Sequence, residues 1–282
     1  MPYSPDIYDK KLLECFSLAP DHTPIDKQVH ELFNTFAKAQ PKPYVAECGF
    51  KIYDNAVRSA RRVQYWFNDA PGSIVPEFWR YKKEFESLGF KFAAEPVAGI
   101  IQRLNLGHVS RFIMGYDLRA DIDNSRIEMW FHVNEQPEFV NYLLQLYGAN
   151  EHLTKIIDLN SCFWGIDFNY DGSTKLKIYP IIYTDKFSNR AKDGSLIYPK
   201  EVLALFNNVT CIYHTYHGMD KSHFLHMQFR NPEPFIRQSL NNPYLNNFLN
   251  QITFLEHENV FISVFEKDVI AGGPYRFFNF YY

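Results

Sequence analysis

The sequence is poor in cysteine. Four thiols, Cys15, Cys48, Cys162 and Cys211, are spread over 282 residues, with no CxxC pair and no nearby histidine pair at metal-ligand spacing. That excludes a disulfide framework and a zinc site. Long apolar runs are missing too: no stretch approaches the roughly 20 residues a membrane helix needs. The N-terminal MPYSPDIYDKKLLE is polar and proline-broken, unlike a secretory signal. The expected location is therefore cytoplasmic, with no membrane partner. Neither sign of charge dominates, and a formal net charge of −3 leaves no basic footprint for nucleic acid. No Pro/Gly/Ser-rich linker divides the chain, so a single domain over residues 1–282, acting as a monomer, is expected. Its 46% hydrophobic content suffices for one large core.

Aromatic residues are abundant: 17% of the chain, with 26 Phe and 19 Tyr. They suit either a densely packed core or an aromatic-lined cavity for an apolar or cationic ligand. Many fall in five strand pairs, at 43–68, 108–133, 161–183, 209–229 and 258–282. Each pair has β-branched and aromatic arms around a polar turn, near Asp54-Asn55, Asp121 to Asn124, Asp171-Gly172, Gly218 to Asp220 and Lys267 to Gly273. Helical periodicity fills the intervals, in IDKQVHELFNTFAKAQ, VPEFWRYKKEFESLGF, EQPEFVNYLLQLYGAN, PKEVLALFNN and NPYLNNFLNQITFLEH. The turns recur about every 50 residues, the mark of a repeated supersecondary unit. Hairpins make antiparallel neighbours, which excludes a doubly wound parallel sheet. The pattern predicts an α+β fold, a ten-stranded antiparallel β-barrel of αββα repeats with helices outside. An open α+β sandwich is the alternative.

Alternate strand residues share a face. On the first strand, Glu47, Gly49, Lys51 and Tyr53 oppose Ala46, Cys48, Phe50 and Ile52. Further on, Glu128, Trp130 and His132 oppose Ile127, Met129, Phe131 and Val133. Lys175, Lys177 and Tyr179 oppose Leu176, Ile178 and Pro180, and His226 and Gln228 oppose Leu225, Met227 and Phe229. On the last strand, Phe277, Asn279 and Tyr281 oppose Phe278, Phe280 and Tyr282, where aromatics on both faces leave the parity open. One face is thus apolar and suits a helix layer. The other either is solvated or lines a polar-aromatic lumen, and its bulky aromatics two residues from polar groups favour the lumen.

Four strings, YVAECGFKIY with RSARRVQYWF, MGYDLRADIDNSRIEMWFHV, GIDFNYDGSTKLKIY and FFNFYY, in this order and spacing, make the chain resemble the ABBA prenyltransferases. Within them it is most similar to the cyanobactin prenyltransferases of ribosomal macrocyclic peptides. The resemblance covers the chain from Pro43 onward, and no DDxxD motif of the all-helical prenyl synthases is present. It implies a dimethylallyl diphosphate donor, a peptide acceptor and Mg2+ as cofactor, with no metal site made by the protein alone. It implies acceptor chemistry at Glu47, with Glu128 as a second acid, and donor diphosphate binding by Arg61, Lys177 and Tyr179. His132, Gln228 and Asn279 stand where relatives often carry Arg or Lys, and Trp130 and Tyr281 would shield the allyl cation.

Other readings of the same residues remain open. Glu47 can pair with Lys51. Lys175 and Lys177 can be solvated. Glu128 can pair with Arg61, Lys177 or another base and never meet the acceptor. If Glu47 and Glu128 do share a nucleophile, with Asp117 near Arg119 close by, a cation belongs between them, which points to an arginine acceptor. The alternatives to a peptide prenyltransferase are an enzyme of the same fold with a small indole or phenol acceptor and a non-catalytic barrel that binds an apolar ligand or peptide.

Overall fold

A computed structural model of the chain describes residues 5–17, 23–40, 44–53, 56–68, 71–93, 95–146, 161–184, 199–217, 220–240, 242–250 and 260–282. Ten strands among them close on themselves: β1 (Tyr44–Tyr53), β2 (Ala56–Asn68), β3 (Val109–Asp117), β4 (Arg126–Asn134), β5 (Ser161–Asn169), β6 (Thr174–Tyr183), β7 (Val209–His217), β8 (Asp220–Phe229), β9 (Val260–Phe265) and β10 (Phe277–Tyr281). Each strand neighbours the next in sequence, and β1 pairs with β10, so the ring has no open edge. The flanking helices described are α1 (Pro5–Ser17), α2 (Pro24–Ala39), α3 (Pro71–Arg80), α4 (Lys82–Ser87), α5 (Glu95–Ile101) and α6 (Pro137–Leu146), with later short helices at Lys200–Leu205, Pro243–Leu249 and Glu266–Ile270. This is the ten-stranded antiparallel barrel with flanking helices that the hairpin–helix order predicts. Among the described residues no helix is long and apolar enough to cross a membrane.

The chain divides into two compact units, and the division passes through β1, β2, α6, β5 and β6. The first comprises Met1–Cys48, Ser59–Phe139 and Phe163–Lys177; the second comprises Gly49–Arg58, Val140–Cys162 and Ile178–Tyr282. In the first unit α2 starts from a capping box, with Thr23 and Asp26 each accepting from the other's backbone N–H. Its apolar face then carries Val29, Phe33 and Phe36 at helical spacing. Phe33 stacks on Tyr65 of β2, and Phe36 meets Phe67 and Phe78 edge to face. Tyr65 and Phe67, with Phe112, Met114 and Tyr116 of β3 and Ile127, Met129, Phe131 and Val133 of β4, are at most 1% exposed. That alternation fixes which sheet face carries the helices.

In the second unit Phe50 packs on Phe248 and Tyr282, at centroid distances of 4.5 and 5.8 Å. The Asn242 side chain caps the helix Pro243–Leu249 by accepting from the N–H groups of Tyr244 and Leu245, and its amide donates to the Tyr53 carbonyl. Phe278, Phe280 and Tyr282 are buried on the same side as Phe50, which settles the parity of the last strand.

Three local expectations change. The β9–β10 connection is a helical turn, Glu266–Ile270, followed by Gly272 and Gly273 at positive φ, because the segment is long enough to bury Val269 before it returns. The N-terminal stretch forms α1: Pro5 sits in the first turn, where no N–H is missed, and Leu12 and Cys15 are buried. The helix expected across Val75–Phe90 is two, broken at Tyr81 between α3 and α4. The predicted turns at Asp54-Asn55 and Gly218-Met219 lie outside the described residues.

Candidate functional site

The sheet face turned away from the helices carries a group of polar side chains in each unit. In the first unit, strands β2 to β6 bring three carboxylates and four cations together. Glu128 on β4 is fully buried. One carboxylate oxygen accepts from Gln64 Nε2 at 2.9 Å and pairs with Arg62 at 3.0 Å. The other accepts from Arg126 Nε at 2.7 Å and lies 3.7 Å from Lys177 Nζ. Asp117, also buried, is held by Arg119 and, at 2.8 Å, by Arg126. Asp167 on β5 pairs with Lys177 and lies 3.3 Å from Arg126 Nε. All three carboxylates therefore converge on the Arg126 guanidinium.

Two glycines make this reach possible. Gly115 on β3 lies in register between Gln64 and Glu128, and a Cβ there would strike the Val63 carbonyl and the Gln64 side chain. Without it, Gln64 spans the middle strand to the carboxylate. Gly165 on β5 likewise leaves the space that the Trp130 indole occupies. That ring lies 5.3 Å from Lys177 Nζ, within the range of a cation–π contact. Trp66 of β2 meets Phe163 edge to face beside them.

The field inside the cluster follows from these contacts. Burial would raise the Glu128 pKa, but Arg62, Arg126 and Lys177 outweigh it and hold the carboxyl well below its usual range. Burial works against the Arg126 cation, and Asp167, Asp117 and Glu128 reverse that, keeping it firmly protonated. Lys177 is pulled below its ordinary value by burial and by Arg126, against Asp167 and Glu128. Its ammonium is the cation whose charge the cluster holds least firmly.

His132, farther along β4, stacks on Phe163 at 4.6 Å, with Nδ1 2.9 Å from Ser110 Oγ. Burial, then the Arg111 guanidinium, push its pKa down to about 4. At neutral pH it is an uncharged imidazole. Glu47 is half-buried on β1, opposite in parity to the fully buried Ala46 and Cys48. Arg61 belongs to β2, but its side chain lies outside the described residues. Its neighbour Arg62 meets Glu128, as Arg126 does.

In the second unit, His226 of β8 bonds Ser263 of β9 and has Tyr179 at 5.0 Å and Tyr281 at 6.3 Å between ring centroids. Gln228 accepts from the Cys211 thiol at 3.1 Å. Asn279 is half-buried, in register with Ser263 and Lys51. Of the residues singled out in the sequence, then, Glu128, Lys177 and Trp130 lie together in the first unit. Tyr179 and Tyr281 both flank His226 in the second.

Sequence reasoning missed Arg62, Gln64, Arg126 and Asp167. Strand alternation holds the signal that would have found them. Arg62, Gln64 and Trp66 share one parity of β2, Arg126 shares that of Glu128 and Trp130, and Asp167 shares that of Gly165.

Residues 100–269 match the model of a family of unknown function, DUF5838. The matched segment contains Asp117, Arg126, Glu128, Asp167 and Lys177, while Glu47 and Arg62 precede it. No curated protein matches the chain. Among solved structures, the crystal structure of NotF prenyltransferase is similar at 11% identity and a TM-score of 0.44, over 95% of this chain and 98% of that one.

Proposed function

For this chain, which belongs to the DUF5838 family, we propose transfer of a dimethylallyl group from its diphosphate to a side chain of a ribosomal macrocyclic peptide. The observation that carries this reading is the placement of Lys177. It is a buried cation against the Trp130 ring, with Arg62 and Arg126 beside it, on the sheet face turned away from the helices. Four cations meet three carboxylates there, leaving one positive charge in excess among the described residues. A departing diphosphate needs fixed positive charge, and an allyl cation needs π faces that exclude water. The cluster supplies both within one unit, on the fold that the sequence resemblance implies.

In this reading the bond between the allylic carbon and the diphosphate oxygen breaks, and the oxygen keeps both electrons. Lys177 and Arg62 hold the leaving charge. The acceptor's lone pair closes on the carbon, and Glu47 takes the proton released from the acceptor. Glu128 has a positioning role, since Gln64, Arg62 and Arg126 engage both its oxygens. His132 is uncharged and contributes a polar contact rather than a cation. Mg2+ is proposed to arrive on the diphosphate. Asp117, Glu128 and Asp167 turn toward Arg126, so they form no open donor set for it. Arg126 of the chain itself already answers Glu128, Asp117 and Asp167, so an arginine acceptor would have to be met by Glu47.

The test is donor affinity, measured by calorimetry with the slowly ionising dimethylallyl thiolodiphosphate and Mg2+. Lys177→Ala and Arg62→Ala should each raise Kd by roughly tenfold or more, about 1.4 kcal/mol. Unchanged affinity in both variants would remove the donor from this cluster.

A further inference from the structure

Four aromatic rings gather at the hairpin end of the second unit. Tyr53 closes β1, Phe277 opens β10, Phe265 closes β9 and Phe224 lies on β8. Register sets Tyr53 opposite Phe277 and Phe224 opposite Phe265. Ring centroids are 5.0 Å apart for Tyr53 and Phe277, 5.8 Å for Phe277 and Phe265, 4.1 Å for Phe265 and Phe224, and 6.3 Å for Phe224 and Phe277. All four have the parity opposite to Ile52, Leu225, Val264 and Phe278, which are fully buried on the helix side. Each of the four rings stays half-buried. The sheet face turned away from the helices thus keeps a continuous aromatic patch within reach of a ligand.

Two residues farther along each strand, the same face turns polar. Lys51, Asn279, Ser263 and His226 stand in register across β1, β10, β9 and β8. Ser263 is fully buried and bonds the His226 imidazole, whose centroid lies 6.5 Å from that of Phe224. The rise along a strand sets the aromatic and polar rows about 7 Å apart, a gap that one residue with a large side chain bridges. Lys267 Nζ lies 5.0 Å from the Phe265 centroid, so a cation already occupies the rim of the patch.

We propose that these four rings are a subsite for a non-reacting side chain of the peptide acceptor, apolar or aromatic and uncharged, whose backbone amide meets Asn279 and the Ser263–His226 pair. The inference rests on the proposed peptide substrate. Ring faces hold an apolar side chain by buried area and by stacking. Amide, hydroxyl and imidazole groups offer both donors and acceptors, the complement of a peptide bond. A prenyl chain would leave that row unanswered. A diphosphate calls for fixed cations, where Asn279 and Ser263 are neutral. A Lys or Arg side chain on the patch would meet the like charge of Lys267.

The experiment measures peptide binding to the full chain by calorimetry, without dimethylallyl diphosphate. The probes are cyclic peptides of Gly and Ser with one position varied to Phe, Leu, Ser or Lys. The Phe and Leu peptides should each bind roughly tenfold more tightly than the Ser peptide, as burying one large apolar side chain implies. The Lys peptide should gain nothing. Phe277→Ala should remove the Phe gain and leave the Ser peptide unchanged. Should that variant fail to fold, a benzophenone photoprobe at the Phe position is cross-linked to the unaltered chain, with adducts expected on segments that carry Tyr53, Phe224, Phe265 or Phe277. Equal affinity for all four peptides, or adducts confined to other segments, would overturn the proposal. So would a Phe277→Ala variant that loses affinity for dimethylallyl thiolodiphosphate yet keeps the Phe gain, which gives the rings to the prenyl chain. Binding is read without donor, so a failed transfer reaction leaves this result readable, and loss of the subsite leaves the transfer assay standing.

Discussion

Replacing Glu128 by Gln tests the electrostatic core of the barrel. The substitution keeps the shape and removes one charge from a residue at 0% exposure. Arg62 at 3.0 Å, Arg126 at 2.7 Å and Lys177 at 3.7 Å then face two carboxylates instead of three. Removing one partner of a buried pair costs about 3–5 kcal/mol. Arg62 and Arg126 keep 15% and 23% of their side-chain surface in water, so solvent offsets part of that and about 3 kcal/mol is expected. For a chain of this size the loss lowers the thermal midpoint by about 6–12 °C. Circular dichroism during urea and heat unfolding reads both quantities. The effect also has a pH signature. The Glu128 pKa is held below 4.5, its value in an unpaired chain, so its stabilisation is complete above about pH 4.5 and is withdrawn as pH falls through the lowered value. The gap between the native chain and Glu128→Gln should therefore narrow in acid. A gap under about 1 kcal/mol at pH 7, or one that widens in acid, would refute the charge assignment.

Four further outcomes follow from the same geometry. Gly165→Ala should displace the Trp130 indole and cost about 1–3 kcal/mol in urea unfolding; an unperturbed tryptophan emission spectrum with native stability would count against the packing. With saturating donor, Arg62→Ala and Lys177→Ala should each raise the transfer barrier by about 2–4 kcal/mol, read in single-turnover assays, and near-normal rates would place the diphosphate elsewhere. His132 should titrate near pH 4 by NMR. The unfolded chain takes up that proton near 6.5, so stability is present above 6.5 and lost as pH falls toward 4, and a native midpoint near 6.5 would contradict its burial. Trp130→Ala should open space for a ten-carbon donor, shifting preference from dimethylallyl toward geranyl diphosphate in competition assays; equal use of geranyl diphosphate by the unaltered chain would exclude Trp130 as the limit on donor length.

The fold was legible wherever one sheet face is dry. Ala46, Cys48, Phe50 and Ile52 alternate with Glu47, Lys51 and Tyr53 because helices cover one side of β1, and burial follows that period of two. Polar turns such as Asp171-Gly172, where Gly172 takes positive φ, mark the hairpins directly. Long-range register was not legible. Adjacent Arg61 and Arg62 offer both parities of β2, and only the alignment of Gln64, Gly115 and Glu128 across three strands selects Arg62 as the partner. Arg126 and Asp167 flank turns, where single charges read as solvated, yet the ring of strands turns both into the cluster. Lys175 and Lys177 read alike in sequence, and the structure leaves the first exposed and buries the second at 4%.

Prenyl transfer is read out by incubating the chain with dimethylallyl diphosphate, Mg2+ and a panel of cyclic and linear peptides that differ only in one Arg, Tyr, Trp or Ser. Intact-mass spectrometry then counts the prenyl groups added to each. One added prenyl group on at least one peptide is expected, with Lys177→Ala slowing the addition. Donor left intact with every peptide, or a rate independent of Lys177, would contradict it.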